Sequence, residues 1–115
     1  MSEESEINIF KCLDFIRDKA PEYAQAKAAR VYLEQFRKTQ KALGMRAAES
    51  AGHKSAVIQE REAYADPSYI SILEGLREAV EAEEALRWRL VAAQAKIEAW
   101  RSLSANARAE HKVIP

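Results

Sequence analysis

The stretch Glu60-Arg61-Glu62-Ala63-Tyr64-Ala65-Asp66-Pro67-Ser68-Tyr69 separates two long helix-forming patterns. Pro67 has no N–H group to donate, and it disfavours the α conformation in the residue before it. Asp66 is a favourable helix N-cap, and proline suits the first helical position. The stretch therefore predicts a corner at residues 66–67, where the chain folds back as an antiparallel helical hairpin. Tyr64 and Tyr69 flank this corner and are expected to pack it shut.

The composition is typical of a helical chain that forms one domain. The 115 residues are 48% hydrophobic and 31% charged, with only 3 Gly and 3 Pro. The acidic N-terminus lacks the basic-then-apolar pattern of a secretory signal, and no run reaches the roughly 20 apolar residues of a membrane span. Cys12 has no second cysteine with which to form a disulfide. These features predict an all-α cytoplasmic protein that does not contact membranes.

The chain is predicted to contain three segments. Residues 1–20 combine an acidic stretch, with Ser5 as a candidate N-cap, and a short amphipathic helix. Residues 21–110 form the long helical hairpin, and residues 111–115 form a frayed tail. Because Pro21 interrupts the helical pattern, the short N-terminal helix is expected to end before it.

Apolar and small residues recur at steps of three and four in both arms of the hairpin, which predicts a coiled coil. Gly44 and Gly52 each weaken the first arm by about 1 kcal/mol relative to alanine. Helix-forming residues resume at once, so we expect a continuous or bent helix up to Tyr64. The first seam is predicted at Ala26, Ala29, Leu33, Phe36, Leu43, Ala47, Ser50 and Val57. The second is predicted at Tyr69, Ile72, Leu76, Ala79, Leu86, Leu90, Ala93, Ile97, Trp100, Ser104 and Ala107, interrupted by Glu83.

A hairpin of two helices leaves many apolar side chains without cover. Each buried leucine or phenylalanine contributes about 1.5–3 kcal/mol, whereas ordering the backbone costs about 1–2 kcal/mol per residue. We therefore expect a homo-oligomer, most simply a dimer that forms a four-helix bundle. Phe10, Leu13 and Ile16 are expected to bury together at the open end or against another subunit. The predicted oligomer interface comprises Phe10, Leu13, Tyr32, Leu73, Val80 and Trp88.

The charges are segregated along a chain whose net charge is zero. Residues 27–46 carry six basic side chains and one acidic one, residues 59–84 carry two and eight, and residues 87–106 carry four and one. A corner at residues 66–67 would place the two basic segments side by side. This basic half could follow a nucleic-acid backbone, with the tryptophans stacking on bases. The candidate nucleic-acid-binding residues are Arg30, Arg37, Lys38, Lys41, Arg87, Arg89 and Arg101.

The same charge blocks have a second interpretation, in which they set the register of the oligomer. The basic half of one subunit would then meet the acidic half of its mate. Known patterns for catalysis, cofactor binding and metal binding are missing, because the two histidines are isolated and no glycine-rich phosphate loop is present. The sequence thus predicts a non-enzymatic protein without catalytic, metal or cofactor-binding residues.

Residues 60–65, the string Leu86-Arg87-Trp88-Arg89-Leu90, and Ala99-Trp100-Arg101 resemble small helical proteins encoded by bacteriophages and prophages. The resemblance covers most of residues 22–110. It implies an accessory or adaptor protein of phage DNA replication or recombination, with nucleic acid or a host or phage protein as its partner. The alternative is a purely structural or protein-binding coiled coil, such as an inhibitor of a host factor, that does not contact nucleic acid.

Overall fold

The structure, a computed structural model, describes residues 7–113 of the chain. These residues form three α-helices and no strand: α1 spans Ile9–Ser50, α2 spans Ala56–Ala65 and α3 spans Pro67–Val113. The prediction of an all-α fold is confirmed. The acidic residues before Ile7, including the candidate cap Ser5, lie outside the described residues, as do residues 114–115 of the predicted frayed tail.

Helix α1 begins directly after Asn8. The side-chain Oδ1 of Asn8 accepts a hydrogen bond of 3.1 Å from the backbone N–H of Lys11. It then continues through Pro21, so the prediction of a short helix that ends before this proline is wrong. Proline removes one helical hydrogen bond at a cost of about 3 kcal/mol or more. Burial of Cys12 before the proline and partial burial of Tyr23 after it can offset that cost, because tertiary packing overrides local preference.

Helix α1 ends at a glycine cap. Gly52 has φ +104°, a left-handed conformation that residues with a side chain rarely adopt. The N–H of Gly52 donates to the carbonyl of Glu49 at 3.0 Å, and that of His53 donates to Ala48 at 3.1 Å. This pair of bonds is a Schellman motif. The continuous or bent helix expected here is therefore wrong, because the chain leaves α1 and forms a loop over residues 51–55.

The loop at residues 51–55 is also where the chain reverses its direction. Gly44 of α1 lies so close to Ala63 of α2 that a methyl group at Gly44 would be 2.9 Å from its Cα atom. Arg30, which lies earlier in α1, pairs with Glu83. Residue numbers therefore run in opposite directions along the two sides of this contact. The only break in the helices between Gly44 and Ala63 is this loop. The reversal predicted at residues 66–67 is misplaced, because proline can break a helix without turning the chain back.

Asp66 and Pro67 instead join α2 to α3. Asp66 is extended, with φ −65° and ψ 131°, and its Oδ1 accepts a hydrogen bond of 2.8 Å from the N–H of Ser68. The predicted cap and the predicted helix start at Pro67 are both confirmed. The rings of Tyr64 and Tyr69 pack edge to face at 5.2 Å across this junction, as expected.

The described residues divide into two compact units. The central unit is Ala24–Glu84, and the terminal unit combines residues 7–23 with residues 85–113. In the central unit the buried side chains are Ala48, Ala63, Tyr69 and Glu83.

The predicted seam of α3 agrees with the structure as far as Ile97, whereas Trp100 and Ala107 beyond it are exposed. Its residues from Tyr69 to Ile97 are all buried or half-buried, including the interruption at Glu83. The seam of α1 is correct only in part. Ala29 is exposed. From residue 43 onward, Leu43, Ala47, Ser50 and Val57 are exposed as well, while Gly44 and Ala48 face the interior. Small residues are selected here because α1 and α2 approach each other closely.

In the terminal unit, Cys12 of α1 and Ala93 of α3 are buried, and Phe15 is half-buried. The single chain does not bury Phe10 and Leu13 together with Ile16, since Phe10 is 75% exposed and Leu13 is exposed as well. Their expected burial against another subunit stays a prediction. Phe10 lies on the opposite face of α1 from Cys12, and Leu13 lies between these two faces. Trp100, expected in the core, is 39% exposed.

Candidate functional site

An ion cluster links α1 and α3 within the central unit. Arg30 Nε donates to Glu83 Oε2 at 2.6 Å and its NH2 donates to Oε1 at 3.0 Å, while NH1 donates to Glu34 Oε2 at 3.1 Å. The Glu83 side chain is only 8% exposed. The hydrogen bonds that Arg30 donates to Glu83, reinforced by attraction to both carboxylates, raise the pKa of Arg30 above its ordinary value. Glu83, the polar residue that interrupts the α3 seam, is therefore paired with Arg30 through two hydrogen bonds.

A second cation of α1 is held by α2. Lys41 Nζ lies 3.7 Å from Glu60 Oε1 and 4.8 Å from the ring centroid of Tyr64. Its hydrogen bond to Tyr64 raises the pKa of Lys41, and attraction to Glu60 adds to that increase. The hydrogen bond and the attraction both stabilise the ammonium form.

These contacts correct the predicted pairing of charged segments. Arg30 and Lys41, both expected on a basic half, lie beside the acidic residues Glu83 and Glu60. Within the central unit, residues 27–46 thus pack against part of the acidic segment. The misplaced corner is the cause, since the position of the reversal decides which residues become neighbours.

The other predicted nucleic-acid-binding residues lie in both units. Arg37 is half-buried and Lys38 is exposed in the central unit. In the terminal unit, the guanidinium of Arg87 lies 4.5 Å from the ring of Trp88, and that of Arg89 lies 5.1 Å from the ring of Phe15. Arg101 forms an ion pair of 3.0 Å with Glu98 one turn away on α3.

The terminal unit contains a groove with a cationic rim and an apolar floor. Lys11, Arg89 and Lys96 line a cavity of about 340 Å³ above Cys12 and Phe15. A neighbouring cavity of about 640 Å³ extends it past Ile7 and Ala99. None of the three rim cations forms an ion pair with a carboxylate of the described residues.

Sequence reasoning found only Arg89 of these rim cations. The signal for Lys96 was its spacing of seven residues from Arg89, which places both on one face of α3. No spacing along the chain could reveal Lys11, because it belongs to α1.

The central unit has an exposed acidic surface on α3. Glu74, Glu78 and Glu81 lie one and two helical turns apart around a shallow cavity that Arg77 also lines. None of these three carboxylates forms an ion pair with a cation in the described part of the chain.

Large apolar side chains are abundant on both units. All six residues of the predicted oligomer interface are exposed, and 58% of the surface of Trp88 is exposed. Tyr32 stacks on Phe36 at 5.8 Å between ring centroids. The other large hydrophobic residues that are exposed are Val31, Leu43, Val57, Tyr64, Ile70, Val91, Trp100 and Leu103.

Across residues 7–113, no cluster of three or more His, Cys, Asp and Glu side chains has the arrangement of a metal site. None of the helices in that part of the chain is long and apolar enough to cross a membrane. Comparisons with protein-family models, with curated proteins and with solved structures found no match to this chain.

Proposed function

We propose that this chain is a non-enzymatic interaction protein that assembles with itself. Helix α1 and the α2–α3 arm form an antiparallel hairpin, and two hairpins join as a dimeric helical bundle. The observation that carries this proposal is the distribution of apolar side chains. Among the described residues, fourteen large hydrophobic side chains are exposed and no large side chain is fully buried. A chain with so small a core gains stability by burying these residues on another polypeptide.

Apolar stripes supply the contacts that such an assembly needs. Tyr32, Phe36 and Leu43 share a face of α1 in the central unit, because they are spaced at four and seven residues. Leu73 and Val80 are also seven residues apart, on α3. These stripes have the spacing by which helices pack as coiled coils.

Sedimentation equilibrium tests the proposal. We expect a mass of about 26 kDa, twice the 13.0 kDa of one chain, at micromolar concentration. Trp88→Lys should weaken the association at least tenfold, since it places a charge in the interface. Gln94→Lys adds the same charge at another exposed position of α3 and should leave the association unchanged. A monomer of full helicity at 100 µM would refute the proposed self-association.

A second candidate function is nucleic-acid binding by the terminal unit, as the phage-protein resemblance implies. The observation that favours it is the groove in which Lys11, Arg89 and Lys96 lie together without carboxylate partners. Three phosphate contacts to duplex DNA predict a slope of about −2.7 for log K against log salt concentration. Arg89→Glu with Lys96→Glu should abolish this binding. Undetectable binding of single-stranded and duplex DNA at 20 mM salt would exclude this function.

A further inference from the structure

One face of α1 in the central unit carries no charge. Its residues follow one another at steps of three and four between positions 25 and 43, so they form a ridge along the helix. The members of this α1 ridge are Gln25, Ala29, Tyr32, Phe36, Thr39 and Leu43. The residues that flank the ridge are also uncharged, and they are Ala26, Ala28, Leu33, Gln35, Gln40 and Ala42. Six of the seven other residues in this range are charged.

The single chain leaves the α1 ridge open to solvent. Arg30 pairs with α3, and Arg37 shares that side of α1 because it lies seven residues later; both are half-buried. In contrast, Tyr32 is 65% exposed and Leu43 is 47% exposed. They are the most exposed large hydrophobic residues that α1 and α3 contribute to the central unit. A helix that half-buries its arginines and exposes an uncharged ridge is suited to a second partner on that ridge.

A strip of small side chains on α3 lies beside the ridge. The members of this α3 strip, which are spaced at three and four residues, are Ser68, Ser71, Gly75, Ala79 and Ala82. A methyl group on Gly75 would lie 3.8 Å from Leu33 Cδ1. Leu33 in turn adjoins Ala29 and Phe36 of the ridge, each about one turn away. Ridge and strip therefore form one face of the central unit, with large side chains along α1 and small ones along α3.

We propose that this face is a self-association surface. Two copies pair about a two-fold axis that runs along the helices, so the α1 ridge of each copy packs antiparallel on the α3 strip of the other. The inference rests on the proposed self-association and adds its surface, its orientation and its register.

The register follows from the contacts within one chain, because rotation about such an axis moves nothing along the helices. Leu33 is level with Gly75, and Arg30 is level with Glu83. Tyr32 of one copy is therefore level with about residues 76–81 of the second copy, where Glu78 borders the strip. The Tyr32 hydroxyl donates a hydrogen bond to this carboxylate, which forms no ion pair with a cation in the described part of the chain. The Phe36 ring covers the strip near Gly75.

Charge and side-chain size both favour a second copy in this orientation. Residues 27–46 of α1 carry six basic side chains and one acidic one, whereas residues 67–84 of α3 carry five acidic side chains and one basic one. The helices that meet therefore have opposite net charge, and large side chains face small ones. An axis across the helices would instead set ridge against ridge and basic segment against basic segment, which is unfavourable.

A charge placed in the ridge and its rescue test the proposal. Tyr32→Glu sets a carboxylate opposite Glu78 of the second copy, so it should weaken self-association at least about tenfold in sedimentation equilibrium. Adding Glu78→Lys to the same chain should restore association to within about threefold of the unmodified chain. Tyr32 is on the side of α1 away from α3, and Glu78 is on the side of α3 away from α1. The rescue therefore reports a contact between copies and not one within a chain.

Two controls separate the surface from net charge. Val31→Glu makes the same change in net charge at the neighbouring exposed residue, on the charged side of α1, and should leave association unchanged. Tyr32→Glu with Glu49→Lys has the same net charge as the rescued chain, but Glu49 lies about 25 Å from Tyr32 along α1. This second control should stay as weakly associated as Tyr32→Glu alone.

A second variant tests the surface without altering the aromatic stack of α1. Ala82→Gln enlarges an exposed residue of the α3 strip with a good helix former, and it should also weaken association severalfold. Circular dichroism should show unchanged helicity for this variant. If Tyr32→Glu reduces helicity, Ala82→Gln decides the outcome in its place.

The outcomes distinguish this inference from the proposed function. If the unmodified chain is a dimer and both Tyr32→Glu and Ala82→Gln associate as tightly as it does, this face is not the interface and self-association stands. If Glu78→Lys rescues Tyr32→Glu no better than Glu49→Lys does, the register is wrong. A monomeric unmodified chain refutes both proposals.

Discussion

The close approach of Gly44 to Ala63 provides a test of where the chain turns. A methyl group at Gly44 would lie 2.9 Å from both Cα and Cβ of Ala63. Because one of these atoms belongs to the backbone of α2, a rotamer change cannot relieve the clash. Gly44→Ala should therefore push α1 and α2 apart.

The expected magnitude follows from two opposing effects. Overpacking of a close contact costs about 1–3 kcal/mol, and a clash with backbone belongs at the upper end of that range. Alanine in place of glycine inside a helix returns about 1 kcal/mol. The net loss in the free energy of unfolding is about 1–2 kcal/mol, which lowers Tm by several degrees for a chain of this size.

Gly75→Ala is the matched control. Gly75 is also inside a helix, but a methyl group there would lie 3.8 Å from Leu33 Cδ1, an ordinary contact distance. Since only the gain in helix propensity applies, this variant should be more stable by up to about 1 kcal/mol. Thermal unfolding followed by circular dichroism at one fixed protein concentration compares the two, because association makes Tm depend on concentration.

The sign of the effect decides between the two possible positions of the reversal. With the reversal at residues 51–55, Gly44→Ala destabilises the chain while Gly75→Ala stabilises it. With a corner at residues 66–67, Gly44 would lie far from Ala63 and both variants would gain stability. A more stable Gly44→Ala variant would thus refute the packing of α2 on α1.

Three further predictions concern the loop at residues 51–55 and the ion pairs of Arg30 and Lys41. Gly52→Ala should lower the free energy of unfolding by about 1–2 kcal/mol, measured by urea titration, because φ is +104° there; an unchanged midpoint would contradict the left-handed cap. Glu83→Leu should lower Tm because it leaves Arg30 without its bidentate carboxylate. The double variant Arg30→Leu with Glu83→Leu should recover most of that loss. Equal Tm values for the single and double variants would argue against the pair. The pKa of Lys41 is raised by Tyr64, so its stabilisation is fully present below the unfolded pKa of about 10.4 and lost as pH rises through the higher folded pKa. The difference in Tm between the unmodified chain and Lys41→Met should accordingly be constant from pH 7 to 9 and shrink only in strong alkali. A difference that already disappears by pH 9 would count against this contact.

Local patterns were sufficient for the elements that depend on neighbours in sequence. Helix-forming composition predicted the all-α fold, and Asp66-Pro67 predicted the start of α3 together with its cap. The seam of α3 was also readable, because its apolar residues repeat at helical spacing over many turns. The candidate groove was harder to predict from the sequence, since one of its rim cations is on α1 and two are on α3.

The sequence by itself thus determined that the fold is all-α, where α3 starts and which face of α3 packs. Only the tertiary structure decided which of two helix breaks reverses the chain. Both Gly52 and Asp66-Pro67 end a helix, and no local preference ranks one above the other as a turn. Gly52 becomes the reversal because the small residues Gly44 and Ala63 let α2 pack closely on α1. That contact then places Glu83 beside Arg30, a pairing that depends on long-range register and not on spacing along the chain.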